Sequence, residues 1–275
     1  MSAAGSKNNT RKRLALGIIC AVVFFFPIYW LAAISVKTPD EIFAYPPVWL
    51  PKSIDLNNYY VLFRDGDVWT VFNSLVTAGI STVIAMVLGT FAAYSIARYK
   101  TGGPNFSMWI ISQRMVPTIC IAFPVFLLFV SLKLVDTYIG LILLYTAFNL
   151  PYVIWMMRGY IQDVPIELEQ SAYIDGLGRF QVILKVVFPM VRAGLFATAV
   201  FTFIFAWNDF LFALILTRSD VTTYPVQVTG YFGSQSTFWG KIGAMSMLGM
   251  LPMFFVVATM QKYIVRGMSM GAVKG

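Results

Sequence analysis

The run VWTVFNSLVTAGISTVIAMVLGTFAAYSIA at residues 68–97 is thirty residues long and holds no charged side chain. About 20 apolar residues, rising ~1.5 Å each, cross a hydrocarbon layer of ~30 Å, so this run is long enough to span a membrane. Three more charge-free runs lie at 14–36, 137–157 and 242–261. Two further windows hold one charge each: Arg114 within 101–132 and Asp209 within 193–217. The period-two alternation of a membrane barrel is missing. The reading is an all-α membrane protein, a single domain over 1–275. Its six transmembrane helices fall near 14–36, 69–97, 106–131, 137–157, 193–217 and 242–261.

Composition agrees. Of 275 residues, 59% are hydrophobic and 12% charged, about half the ~25% charge of a soluble chain. Mean hydropathy is +0.74. There is no histidine, which removes His acid–base chemistry, His metal ligation and every Ser-His or Cys-His nucleophile. Cys20 and Cys120 each sit in an apolar run and read as small hydrophobes. The first window runs into Lys37-Thr38-Pro39-Asp40 with no small-x-small cleavage site, which reads as a retained anchor. With the N-terminus inside, thirteen Lys and Arg fall on the cytoplasmic side against six outside. That asymmetry places both termini in the cytoplasm of a multi-pass chain. It also accounts for the net charge of +8 without nucleic acid.

The loops differ in kind. Residues 37–67 and 218–241 lie outside on this reading, the first carrying Pro46, Pro47, Pro51, Trp49 and Tyr59. Residues 158–192 lie inside and carry eight charges. There Pro165 suits a first helical turn, and Glu167 and Glu169 complement its dipole. The helix is expected to run 166–174 and stop at Asp175-Gly176. A second helix is expected from Phe180, Ile183, Leu184 and Val187, spaced i, i+3, i+4, i+7, before Pro189. Such an apolar helix pair needs a cover. Either it folds back on its own spans, or its first helix docks in the groove of a soluble partner.

The string Pro165-Ile-Glu-Leu-Glu-Gln-Ser-Ala-Tyr-Ile-Asp175-Gly176, followed after nine residues by Val186-Val-Phe-Pro189, resembles the cytoplasmic signature of binding-protein-dependent ABC importer permeases. Ala172, Asp175, Gly176 and Pro189 match that signature, while Gln170 and Ser171 stand where it has Glu and Ala. Ser112-Gln-Arg114-Met-Val-Pro117, Tyr145-Thr-Ala-Phe-Asn149-Leu-Pro151, Phe205-Ala-Trp207-Asn208-Asp209 and the terminal Gly271-Ala-Val-Lys-Gly275 resemble the carbohydrate-uptake branch. The chain is similar there to the smaller permease subunit of maltose- and trehalose-type importers. The resemblance implies a type I importer fold in the bacterial cytoplasmic (inner) membrane and four partners: a second, different permease, a dimer of ATPase subunits, an extracytoplasmic sugar-binding protein, and a sugar or polyol substrate. It implies a coupling helix contacting the ATPase through Pro165, Glu167, Glu169, Gln170, Ser171, Ala172, Tyr173, Asp175 and Gly176. It also implies that ATP and Mg are bound by the ATPase, with no cofactor and no catalysis in this chain. The loop residues Tyr224, Pro225, Gln227, Tyr231, Phe232 and Gly233 match in position a loop that reaches into the binding protein; interface anchoring is the other reading. The tail at 266–275 resembles one that contacts the ATPase pair, or is a frayed end.

Within the spans, Trp207, Asn208 and Asp209 combine a carboxylate, an amide and an indole face suited to a sugar. Asn149, Tyr152 and Trp155, beside Pro151, form a second such cluster. Interhelical hydrogen bonding and packing is the alternative for both. Arg114 either snorkels to the interface or bonds a neighbouring span. The competing class is an ion-coupled secondary transporter of a small neutral solute, for which the repeat symmetry and intramembrane carboxylate relay are missing.

Overall fold

A computed structural model of the chain describes residues 3–233 and 238–271, with side chains described for 13–233 and 238–259. The tail at 266–275 and loop residues 234–237 therefore fall outside the described side chains. Every regular element among the described residues is helical: α1 (Ala3–Ser35), α2 (Pro39–Ile42), α3 (Asn57–Arg64), α4 (Trp69–Tyr99), α5 (Phe106–Ser112), α6 (Thr118–Ser131), α7 (Tyr138–Gln162), α8 (Ile166–Ile174), α9 (Arg179–Val182), α10 (Phe188–Met190), α11 (Arg192–Trp207), α12 (Leu211–Leu216), α13 (Tyr224–Gly230) and α14 (Trp239–Gly271). Four helices are long and apolar enough to cross a bilayer, or up to six if each of two bent pairs is one span.

Both windows that carried a charge depart from a straight helix. The third bends by 91° between Phe106–Met115 and Thr118–Ser131. Pro117 disfavours the helical region for the residue before it, and Val116 is extended at ψ 123°. The second bent pair is Arg179–Met190 with Arg192–Trp207, at 81°, so it begins before the expected fifth window, and that window is itself divided at 208–210, between α11 and α12. Asn208 Nδ2 donates to the Ile204 carbonyl at 2.9 Å, and Asp209 Oδ1 accepts the Ala213 N–H at 3.1 Å. One polar side chain thus satisfies the end of α11 and the next satisfies the start of α12.

The residues group into two compact units. In the unit 69–227 with 251–275, α4 packs along α7, and both meet α11. The α4 face turned inward is small and hydroxylic: Thr77, Ala78, Ser81, Ala85, Gly89, Thr90 and Ala93 are buried. In lipid, small side chains let helix backbones approach closely. At Gly89 an added Cβ would stand 2.6 Å from Val153 Cγ1. Thr77 Oγ1 donates to the Asn73 carbonyl of its own helix at 2.8 Å.

In the unit 1–68 with 228–250, the 37–67 loop is ordered by specific bonds. Tyr29 Oη donates to the Trp49 carbonyl at 2.6 Å, and Tyr59 Oη to Ser35 Oγ at 2.9 Å. Lys37, 1% exposed, donates to the Val48 carbonyl and lies 4.4 Å from the Trp30 ring centroid. Asp65 accepts from Lys241 and Arg64, which hold its carboxyl below the usual range.

Candidate functional site

Pro165 precedes α8, Glu167 and Glu169 lie in its first turn, and Gly176 at φ 84° ends it. Left-handed backbone of that kind favours glycine. The helix presents two faces. Gln170, Ser171, Ile174 and Asp175 are exposed, as are Pro165, Glu167 and Tyr173, and Ile174 is 87% exposed. Glu169 and Ala172, one turn apart, are buried. The expectation that these two share the partner-facing surface is corrected: Glu169 accepts from Tyr94 Oη at 2.6 Å and from Arg98 Nε at 2.6 Å. Arg98 also donates from Nη2 to the Val164 carbonyl at 2.8 Å. A buried carboxylate must be paired to be tolerated, and this pairing fastens α8 to the end of α4.

The second helix of the loop is not the regular stripe expected. A π-helical turn occupies Ile183–Val187, closed by the Phe188 N–H donating to the Ile183 carbonyl. That turn adds a residue to the period, so Val182 and Val187, five apart, are both fully buried. Phe180 and Leu184 are exposed instead, with the Phe180 ring stacked 5.7 Å from Phe91.

The two polar clusters of the spans fare differently. Trp207 is 1% exposed, packed against Phe203 at 5.6 Å and Tyr224 at 5.0 Å between ring centroids. It is therefore corrected from a sugar platform to a core residue, while Asn208 and Asp209 cap helix ends. In the other cluster Asn149 is buried, and its Oδ1 accepts from Arg114 Nη1 at 3.2 Å. Tyr152 lies with its ring centroid 5.6 Å from Arg114 Cζ, and Phe205 at 4.6 Å. Trp155 lies beside Arg158 instead, 6.0 Å from its Cζ. Arg114 precedes the break at Pro117, in the 3₁₀ turn Gln113–Met115. It bonds a neighbouring span, and no ion pair joins it to Asp209 among the described residues.

On the 218–241 loop, Tyr224 is half-buried, its N–H donating to Ser74 Oγ at 2.9 Å. Pro225 and Gln227 are also half-buried, on α13. Tyr231 is buried and donates to Asp67 Oδ2 at 2.6 Å, so it is corrected from a protruding contact to an anchor. Phe232 and Gly233 are exposed. The residue that holds the start of this loop was missed in sequence: Asp136 accepts the backbone N–H groups of Arg218, Ser219, Asp220 and Val221 at 3.0–3.2 Å.

Residues 85–270 match the family described as binding-protein-dependent transport system inner membrane component. The trehalose transport system permease protein SugB of Mycobacterium tuberculosis is 35% identical over 256 residues, 90% of this chain and 92% of that protein. The diacetylchitobiose uptake system permease protein DasC of Streptomyces coelicolor is 30% identical over 264 residues, 94% of this chain and 96% of that protein. A chain in the crystal structure of a bacterial ABC transporter involved in the import of the acidic polysaccharide alginate superposes with a TM-score of 0.77 at 22% identity. It covers 96% of this chain and 98% of that one, a likeness that concerns the fold.

Proposed function

The chain belongs to the binding-protein-dependent transport system inner membrane components, and from that premise we propose that it is one of two different permease subunits of an ATP-driven sugar or polyol importer. Its solute is of disaccharide size, as in the names of the trehalose and diacetylchitobiose relatives. Both termini face the cytoplasm, where α8 is the coupling helix. A pair of ATPase subunits binds ATP and Mg and receives the exposed face of α8 in a cleft. An extracytoplasmic binding protein delivers sugar to the side where the 37–67 and 218–241 loops lie.

The observation that carries this reading is the two-faced α8. One face is bare of intrachain cover, and the other is fastened to α4 by the buried Glu169, Arg98 and Tyr94. A displacement of α8 is therefore passed through a charged joint to a 31-residue helix. Alternating access by rigid-body motion needs such a joint. The force originates in the ATPase, and this chain converts it to an opening of the path.

The test is a mild-detergent pull-down of the tagged chain from its native membrane, with mass spectrometry of what accompanies it. Recovery of an ATPase and a second permease is expected. Recovery of the chain alone or as a homodimer, with uptake that survives ATP depletion, overturns the reading.

A further inference from the structure

Three helical segments converge on Arg114. Its own 3₁₀ turn precedes the break at Pro117, α7 supplies Asn149 and Tyr152, and α11 supplies Phe205. Nη1 donates to Asn149 Oδ1 at 3.2 Å and, at 3.4 Å, to the Phe148 carbonyl. The guanidinium carbon lies 4.6 Å from the Phe205 ring centroid. Among the described residues no carboxylate pairs with this cation, and its Nε–H and Nη2–H groups have no acceptor.

A guanidinium within a membrane span faces a protein interior or a water-filled path, because acyl chains offer it nothing. Arg114 edges a groove of about 210 Å³ whose lining includes Gln113, Val116, Ala147, Phe148 and Pro151. Aromatic faces fix a guanidinium by cation–π attraction, and the rings leave its remaining donors as a pre-set fork. Such a fork matches two neighbouring oxygens on one ligand. The positive charge is already shared among two neutral carbonyl oxygens and two rings, so the ligand need not be anionic.

We propose that Arg114, oriented by Asn149, Tyr152 and Phe205, is a subsite on the translocation path that binds a pair of adjacent hydroxyls on the passing sugar. This rests on the importer reading above. The groove beside the break then serves as the place where a ring of the solute sits during transit.

The test uses the whole complex in proteoliposomes with its binding protein, and tritiated trehalose and diacetylchitobiose as probes. The measured quantity is sugar moved per ATP hydrolysed. Arg114→Gln is expected to lower that ratio about tenfold, the scale of losing charge-assisted hydrogen bonds. Arg114→Lys, keeping charge but not the fork, is expected to lower it about threefold. Asn149→Ala, which frees the arginine from its orienting acceptor, is expected to act in the same direction as the lysine variant. These two also supply the ratio should Arg114→Gln fail to assemble. A residue that only braces helices depresses uptake and hydrolysis together, so an unchanged ratio in all assembled variants overturns the subsite. A wild-type complex that moves neither probe overturns the disaccharide assignment itself, which separates the two failures.

Discussion

Asp136 stands in a short connection, Lys133–Asp136, that reads in sequence as nothing more than a tight turn. Its role depends on residues more than eighty positions away, which no local pattern announces. Burial pulls its carboxyl upward, but the N–H groups of Arg218, Ser219, Asp220 and Val221 together outweigh that and hold it below the usual range. A depressed folded-state pKa means that the stabilisation is complete above the ordinary aspartate value of ~3.9 and lost as pH falls below it. Asp136→Asn is expected to loosen the start of the 218–241 loop, costing about 1–2 kcal/mol, the scale of hydrogen bonds to a charged acceptor. Binding-protein affinity measured on the assembled complex at pH 7 should fall, and the variant should lose less stability than the wild type below pH ~4, Asp65 still contributing its own share. Equal acid profiles would refute the anchor. Glu169 makes the complementary case. Its identity as a helix-start carboxylate was legible, and so was its place on a different face from Gln170, but its partners on α4 were not, because a propensity argument names no distant residue. Glu169→Ala leaves Arg98 buried and unpaired and is expected to cost about 3 kcal/mol or more. The double variant Glu169→Leu, Arg98→Met should recover much of that in a detergent thermal-shift measurement; no recovery would show that the pair's charge is not the issue.

At the scale of elements, charge-free length picked out the four long helices α1, α4, α7 and α14, since lipid tolerates few charges whatever the tertiary contacts. It did not locate the breaks. Val116-Pro117 carries its signal openly, as proline disfavours helix in the preceding residue, yet a hydropathy window averages it away. The break at 208–210 depends on two side chains capping opposite helix ends, and the π turn at Ile183–Val187 on packing against α4 and α7, so neither was legible. The small-residue stripe of α4 was not read in sequence, and it carries no direction until a partner is known. Its tightest point gives a sharp expectation. Gly89→Ala places a methyl 2.6 Å from Val153 Cγ1 and 2.9 Å from Val153 Cβ, and a branched side chain so close to the α7 backbone has little room to yield. The variant should lose about 1–3 kcal/mol as overpacked cores do. Val153→Ala in the same chain should restore much of it, measured as detergent-solubilised melting temperature. Additive losses in the double variant would place the strain elsewhere.

For the whole molecule, the sequence signature around Gly176 pointed to a coupling device, and the structure shows how the helix before it is held. Three attachments hold α8: the chain entering from α7 through 163–165, the buried Glu169–Arg98–Tyr94 contact to α4, and the chain leaving through Gly176 at φ 84° toward α9. Only the last is a turn that proline cannot adopt, since its ring holds φ near −65°. No side chain crowds Gly176, so Gly176→Ala meets only the backbone cost of the left-handed region, ~1 kcal/mol. Gly176→Pro must instead re-route the exit from α8 while leaving its buried face attached. The proline variant is therefore expected to insert and assemble, to keep much of its ATP hydrolysis, and to lose most sugar uptake. The alanine variant should sit close to wild type in both. The measurement is uptake and hydrolysis side by side in proteoliposomes. If proline lowers both in proportion, the turn is needed for docking on the ATPase rather than for transmission. If it lowers neither, force reaches the spans through the Glu169 joint and the connection from α7, and Gly176 merely ends a helix.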